Sequence, residues 1–541
     1  MIAALVLVVG CGGGNAKTGK GATTKKTCNA NALRDAMGVK ALDDYTLQVT
    51  LTSVQPWFVQ QVAHSSFLAV NRKTVERWGD KWTDPAHIVT DGPFKLAGWK
   101  HSATIDLVKN DKWHDAKNVA LKKVNGKIIV EGTTRVQAFQ AGEVDALDGA
   151  GLPSAEMSRL KKLPEYEVYP ALGTYYYGFN VKKISDVNQR KAMALAIPRQ
   201  MIIDKITQDG RKPATSLTPL GMPGYDTIKQ DFLPVNGDID LAKQYMAKVA
   251  NPVKGVSLYY NNAPGHREIA VTIQAAWSQL GIQTTIKQME WAQYLEFLGP
   301  PPNSAVDVFR NGWVGDFVDD INFLELMTCS SGNNNTNWCN KSFDALVAQA
   351  EKTLNNAKRY KIYAKAEAIL TGKSGDMPIA PITWYTYPNL EKLSVKDTFN
   401  INLLDQFDLT KVKVKGTKGT SNSAVSQEMT IAWGAEPPSL DPGLATDTTS
   451  SNVLLNIMDP LVKLGPAPDL APQPGLAKSW DVKGNVVTFH LRHDARWTNG
   501  DPVTAQDLEY SWKRTVSPEL GADYAYQFFG IKGAEAYNSC A

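Results

Sequence analysis

From Asp307 to Leu324 the chain reads Asp-Val-Phe-Arg-Asn-Gly-Trp-Val-Gly-Asp-Phe-Val-Asp-Asp-Ile-Asn-Phe-Leu. A strand of buried character here ends in an aromatic, a glycine and a carboxylate, which makes Asp316 a handle for a cationic ligand. The competing reading is an aspartate that caps a helix or a turn. Arg310, six residues upstream, offers its guanidinium to a ligand carboxylate, or else neutralises Asp307 and Asp316. Trp313 either walls a side-chain pocket or packs in the core.

Other chemistry is tested and set aside. Gly14-Asn15-Ala16-Lys17-Thr18-Gly19-Lys20 fits the phosphate-loop spacing, but Gly21 stands where a hydroxyl would hold magnesium, and no strand precedes it. There is no G-x-S-x-G elbow and no H-E-x-x-H helix. The seven histidines place no pair on one helix face, His490 and His493 being the nearest. Asp319 and Asp320, read as neighbours on a strand, point to opposite faces and make a poor acid–base pair. No enzyme, metal site or cofactor is expected.

Composition narrows the rest. The 58 Lys+Arg and 54 Asp+Glu leave a net charge of +4 spread along 541 residues, with no basic arm to track phosphates, so nucleic acid is not an expected partner. At 43% hydrophobic residues the chain can fill two or three domains. Residues 1–10 are apolar but too short for a helical membrane span of about 20 residues. They read as the end of a secretion signal, and Val8-Val9-Gly10-Cys11 resembles a lipobox with Cys11 as the lipid attachment point, although no Lys or Arg precedes it. Export to an oxidising space would let the other four cysteines pair. Cys329 and Cys339 flank a polar loop that a disulfide would close, and their spacing disfavours zinc.

The positioning elements follow from periodicity. Residues 15–27 and 416–427 are Gly/Thr/Ser/Lys/Asn-rich linkers. Residues 266–280 carry Ile269, Ile273, Ala276, Trp277 and Leu280 on one helical stripe that Gly281 ends. Alternating strands, 255–260 and 282–287, flank it as a β-α-β unit. A second unit is a strand at 127–130, a helix at 133–141 closed by Gly142, and a strand at 143–147. Such alternation argues for an α/β protein of open sheets, with ligand crevices at strand ends.

The 307–317 run, together with Trp433-Gly-Ala-Glu-Pro-Pro-Ser-Leu-Asp-Pro442 and Trp497-Thr-Asn-Gly-Asp-Pro-Val-Thr-Ala-Gln-Asp507, resembles the peptide- and nickel-type (family 5) solute-binding proteins of ABC importers. Within that family it looks most like an oligopeptide-binding lipoprotein. The resemblance implies a two-lobed periplasmic-binding-protein-like clamp (type II) with an extra inserted domain. It also implies that the blocks are circularly permuted, since the segment that opens the mature family protein here comes last. On that reading 1–27 is signal end and tether, and 28–87 is the second part of the inserted domain. Residues 88–180 form lobe I, second part, and 181–400 form lobe II. Residues 401–466 return to lobe I, and 467–541 are the first part of the inserted domain. Cys28 and Cys540 would then be near neighbours, able to pair.

The resemblance further implies that Asp316 pairs with a peptide α-ammonium, and that Asn311-Gly312-Trp313-Val314 and Gly434-Ala435-Glu436 offer edges for backbone pairing. Tyr177 would lie on a strand crossing between the lobes and Trp384 on a cleft-facing strand. Implied partners are an oligopeptide and the permease subunits of an importer. The protein would be a monomer held by its lipid on the extracytoplasmic face of a cell membrane, most in keeping with a Gram-positive surface. Alternatives are another solute (nickel chelate, haem, opine or oligosaccharide), or a peptide-sensing surface receptor.

Overall fold

The computed structural model describes residues 28–149, 151–263, 265–299, 302–416, 425–466 and 470–540. The expected lipid site at Cys11, the tether, the phosphate-loop-like run and most of the linker 416–427 lie outside them. In chain order the strands are β1 (Val39–Asp43), β2 (Thr46–Thr50), β3 (Phe94–Lys100), β4 (Thr104–Lys109), β5 (Lys123–Ile128), β6 (Ala146–Leu147), β7 (Tyr166–Phe179), β8 (Lys212–Pro213), β9 (Gly255–Asn261), β10 (Gln283–Met289), β11 (Val308–Val314), β12 (Ile379–Leu390), β13 (Glu428–Trp433), β14 (Val462–Leu464), β15 (Pro472–Pro474), β16 (Ala477–Lys483) and β17 (Val486–Leu491). They form a four-stranded sheet (β1-β2-β17-β16), a six-stranded sheet (β10-β9-β11-β7-β12-β8), a five-stranded sheet (β3-β4-β5-β13-β6) and the pair β14-β15.

The expected β-α-β unit is present. Helix His266–Ser278 buries Ile269, Ile273, Ala276 and Trp277, and β9 and β10 pair in parallel beside it. Gly281 takes a left-handed φ of +75°, which a side chain would strain and which ends the turn. The second unit needs correcting. Its first strand starts at Lys123 and stops at Ile128, leaving Val130 exposed, and its last strand is only Ala146–Leu147. The two are not adjacent, because β13 lies between them, parallel to both. A strand that begins only at Glu428 supplies the partner that local periodicity assigned to a neighbour.

β7 and β12 are the long strands, paired antiparallel from Tyr166↔Leu390 to Ile379↔Gly178. From Ala171 onward every residue of β7 is buried, as suits a strand covered on both faces. Alternation sends Tyr175 and Tyr177 into a core with Ile269, Ile273 and Trp277. Tyr176 enters the opposite core with Phe317, Phe323 and Tyr363.

The four-stranded sheet has its own core around Phe58, Phe67, Trp497, Trp512 and Phe528. Helix Ala505–Val516 in that core starts with a capping box of Thr504 and Asp507. Two disulfides form, Cys329–Cys339 and Cys28–Cys540, the latter with Cα atoms 5.7 Å apart across 512 residues of sequence. Among the described residues no helix is long and apolar enough to cross a membrane.

Candidate functional site

β11 pairs with β7 along its whole length, but with β9 only at Val308 and Phe309. From Arg310 to Val314 its other edge therefore has no neighbouring strand among the described residues. Side chains hold the backbone there: the Tyr294 hydroxyl donates to the Arg310 carbonyl (2.5 Å), and the Gly312 N–H donates to Asn311 Oδ1 (2.8 Å). An edge that stops pairing mid-strand can accept another extended backbone.

Asp316 follows β11 in a bend and is 8% exposed. Among the described residues it caps no helix. Its Oδ2 accepts from Asn322 Nδ2 (3.0 Å) and from Gln527 Nε2 (2.9 Å), while Oδ1 lies 3.4 Å from His64 Nε2. Asn322 belongs to the same loop. His64 and Gln527 come from the four-stranded-sheet domain, so Asp316 sits where that domain meets the six-stranded sheet. The seam continues with Val318 N–H donating to Gln60 Oε1 (2.9 Å), Trp57 facing Phe317, and Asn333 Nδ2 donating to the Tyr526 hydroxyl (3.3 Å).

Every donor to Asp316 is neutral. Burial pushes His64 below the ordinary histidine value and pushes Asp316 above the ordinary carboxylate range. Among the described residues no lysine or arginine pairs with Asp316. Nearby Glu325 is pushed up to about 8, by burial first and then by the charge of Asp316.

Arg310 shows the complementary condition. Its Nη2 donates to the Tyr385 hydroxyl (2.7 Å), Nη1 donates to Asn261 Oδ1 (3.2 Å), and its guanidinium lies 4.6 Å from the Tyr175 ring centroid. Nε is buried without a partner, and among the described residues no carboxylate pairs with it. The reading that Arg310 neutralises its neighbours is thus corrected, because Asp307 is taken by Lys183 (3.0 Å) and the Ser257 N–H (2.8 Å).

The remaining expected residues divide. Trp313 is half-buried, donates to Asn322 Oδ1 (3.1 Å) and meets Tyr524 edge-on, so it braces the Asp316 loop. The space beside Gly312 is filled by the Tyr385 hydroxyl, which a Cβ would strike. Val314 pairs with Gly173. Glu436 has its own donors, Trp99 Nε1, the Ser102 N–H and His101 Nδ1, each at 2.9 Å, and Ala435 beside it is half-buried. Tyr177 is wholly buried against Tyr175. Trp384 is buried edge-on to Tyr225.

Asp319 and Asp320 lie in the turn before helix Ile321–Leu324, not on a strand. Asp319 accepts from Arg359 Nη2 (2.8 Å) and the Tyr363 hydroxyl (2.5 Å), so it is tied up structurally. Among the described residues no group of three His, Cys, Asp or Glu is placed to hold a metal.

Sequence reasoning missed His64, Asn322 and Gln527. The available signal was a polar side chain inside an apolar or aromatic run, as in Val62-Ala63-His64 and Tyr526-Gln527-Phe528.

The profile described as bacterial extracellular solute-binding proteins, family 5 Middle, matches residues 16–335 and 471–539. The oligopeptide-binding protein OppA of Bacillus subtilis is 35% identical over 368 residues, 65% of this chain and 66% of that protein. The periplasmic oligopeptide-binding protein OppA of Salmonella typhimurium is 32% identical over 366 residues, 66% of each. The chain thus spans just under two thirds of the length of these relatives. The crystal structure of Haemophilus influenzae OppA in complex with RPPGFSPFR superposes with a TM-score of 0.63 at 29% identity, covering 70% of this chain and 75% of that one.

Proposed function

We propose that this chain, which belongs to the bacterial extracellular solute-binding proteins of family 5, captures short peptides in extended form and delivers them to the membrane permease of an ABC importer. The observation that carries this is a pair of unmet charges, one on β11 and one just after it. Asp316 has only neutral donors and Arg310 has no carboxylate. A buried charge without a counter-charge is costly, and a zwitterion would relieve both at once. Six residues of extended chain span at most ~20 Å, the reach of a peptide of up to about five or six residues. Between the two charges lies the unpaired edge of β11, suited to backbone pairing with no demand on side chains.

Around that centre the reading extends to a monomer of two lobes and an inserted domain, tethered through a lipid on Cys11 outside the cytoplasm, with Trp313, Gly312, Val314, Ala435, Glu436 and Trp384 shaping the cleft and Tyr177 supporting it from the core. The block order is read as circularly permuted. Three features support this: β13 lies between β5 and β6, β17 lies beside β2, and Cys28 is joined to Cys540. Native mass spectrometry of the purified full chain, followed by denaturation, tests the ligand class. A ladder of released peptides is expected, whereas a single sugar, haem or metal chelate would keep the fold and overturn the ligand.

A further inference from the structure

His64 is 7% exposed, and its two ring nitrogens are held differently. Nδ1 accepts from the Ser66 backbone N–H (3.3 Å) and lies 2.9 Å from the Ser66 hydroxyl. A neutral ring whose Nδ1 accepts from that N–H carries its proton on Nε2, the atom 3.4 Å from Asp316 Oδ1. The single proton of the Ser66 hydroxyl is shared between His64 Nδ1 and Gln527 Oε1 (3.1 Å), and Gln527 Nε2 donates to Asp316 Oδ2. His64, Ser66, Gln527 and Asp316 thus close a ring in which a titratable imidazole on one domain addresses a carboxylate on another.

We propose that His64 is a positioning residue for the ligand ammonium: neutral, it aims Asp316 and leaves the carboxylate's charge for the ligand, while protonated it supplies that charge itself and expels the ligand. Capture is then acid-labile by construction. The inference rests on the peptide reading above. The other ionisable groups facing the pair are Tyr524, edge-on to His64, with Tyr526 and Glu325 near Asp316. Burial keeps both tyrosines neutral, and Glu325 is an acid, so none of them supplies a rival positive charge.

The sign follows from the two acids. Lowering the pH charges His64 and discharges Asp316, and both changes remove the attraction for an ammonium. A glutamine at 64 places an amide N–H near the imidazole Nε2 position and does not titrate, which separates the two events. The test is calorimetric titration of the full-length chain, wild type, His64→Gln and His64→Leu, with alanine peptides of three to five residues and their N-acetylated forms, from pH 8 to pH 5.

The expected wild-type result is at least a tenfold preference for the free ammonium at pH 8 that collapses toward pH 5. His64→Gln should keep the preference and hold it to lower pH. His64→Leu should lose most of it throughout, with folding checked by thermal melting. A His64→Gln profile superimposable on wild type overturns the proposal, and so does a folded His64→Leu chain with full preference. If His64→Leu does not fold, the His64→Gln profile decides alone. A wild-type protein indifferent to acetylation sinks the peptide-terminus reading itself, and this inference with it.

Discussion

Asp316 and Asp441 are both buried aspartates near the start of a loop, and both lie in motifs that carry the family resemblance. Asp441 is met by both terminal nitrogens of Arg514 (2.9 and 2.6 Å), by Trp82 Nε1 (3.1 Å) and by the Gly443 N–H (2.9 Å). Its charge is cancelled within the fold. Asp316 accepts two side-chain hydrogen bonds, from Asn322 and Gln527, with His64 Nε2 3.4 Å away, and all of these partners are neutral. Burial is alike at the two sites, whereas the counter-charge differs. A structural carboxylate carries its cation with it, whereas a binding carboxylate leaves that place for the ligand.

Substitutions should divide along that line. The largest effect is expected for Arg514→Met, which strands Asp441 without its cation and should cost about 3–5 kcal/mol of stability in urea unfolding. A loss below about 1 kcal/mol would mean Asp441 is not held by that pair. Asp316→Asn should do the opposite, changing stability by no more than about 1 kcal/mol while weakening peptide binding by about 2–3 kcal/mol, roughly 30- to 150-fold. Should its unfolding midpoint instead fall as far as that of Arg514→Met, the contrast would vanish. Arg310→Gln should weaken binding of a peptide with a free carboxylate by about 1–2 kcal/mol and leave its amidated form unchanged; equal losses for both would remove Arg310 from ligand contact.

The smallest effect concerns Glu325. Its folded value of about 8 lies above the ordinary 4.5, so the folded state holds a proton that the unfolded state releases. Stability from this group is complete in acid and is lost as the pH rises through about 8. Glu325→Gln should therefore gain on wild type between pH 6 and pH 9, by about 1–2 kcal/mol because the side chain is only half-buried. A pH-independent difference would count against the raised value.

What the sequence disclosed was local. The stripe of Ile269, Ile273 and Trp277, the glycine stop at 281 and the carboxylate after β11 all depend on residues within a turn or two of each other. What it concealed depends on distance. Gln527 is 211 residues from Asp316, and nothing near either residue announces the other. The partners of Arg310 were misjudged for the same reason. Sequence proximity suggested Asp307 and Asp316, whereas Tyr385 and Asn261 arrive from other strands. Alternation also assigned Asp319 and Asp320 to a strand that ends at Val314, because a short polar turn has no period to contradict it.

The placement of β13 between β5 and β6 has a bearing on the order in which the molecule can assemble. All six strands of the sheet that carries Asp316 lie between Tyr166 and Leu390, so it can close as soon as that stretch is free. The five-stranded sheet cannot, since the strand at its heart is more than 300 residues downstream of β5. Until β13 arrives, β5 and β6 keep raw edges, a state prone to mispairing. The half bearing Asp316 is thus free to form first, and the half that holds β13 must wait for the rest of the chain.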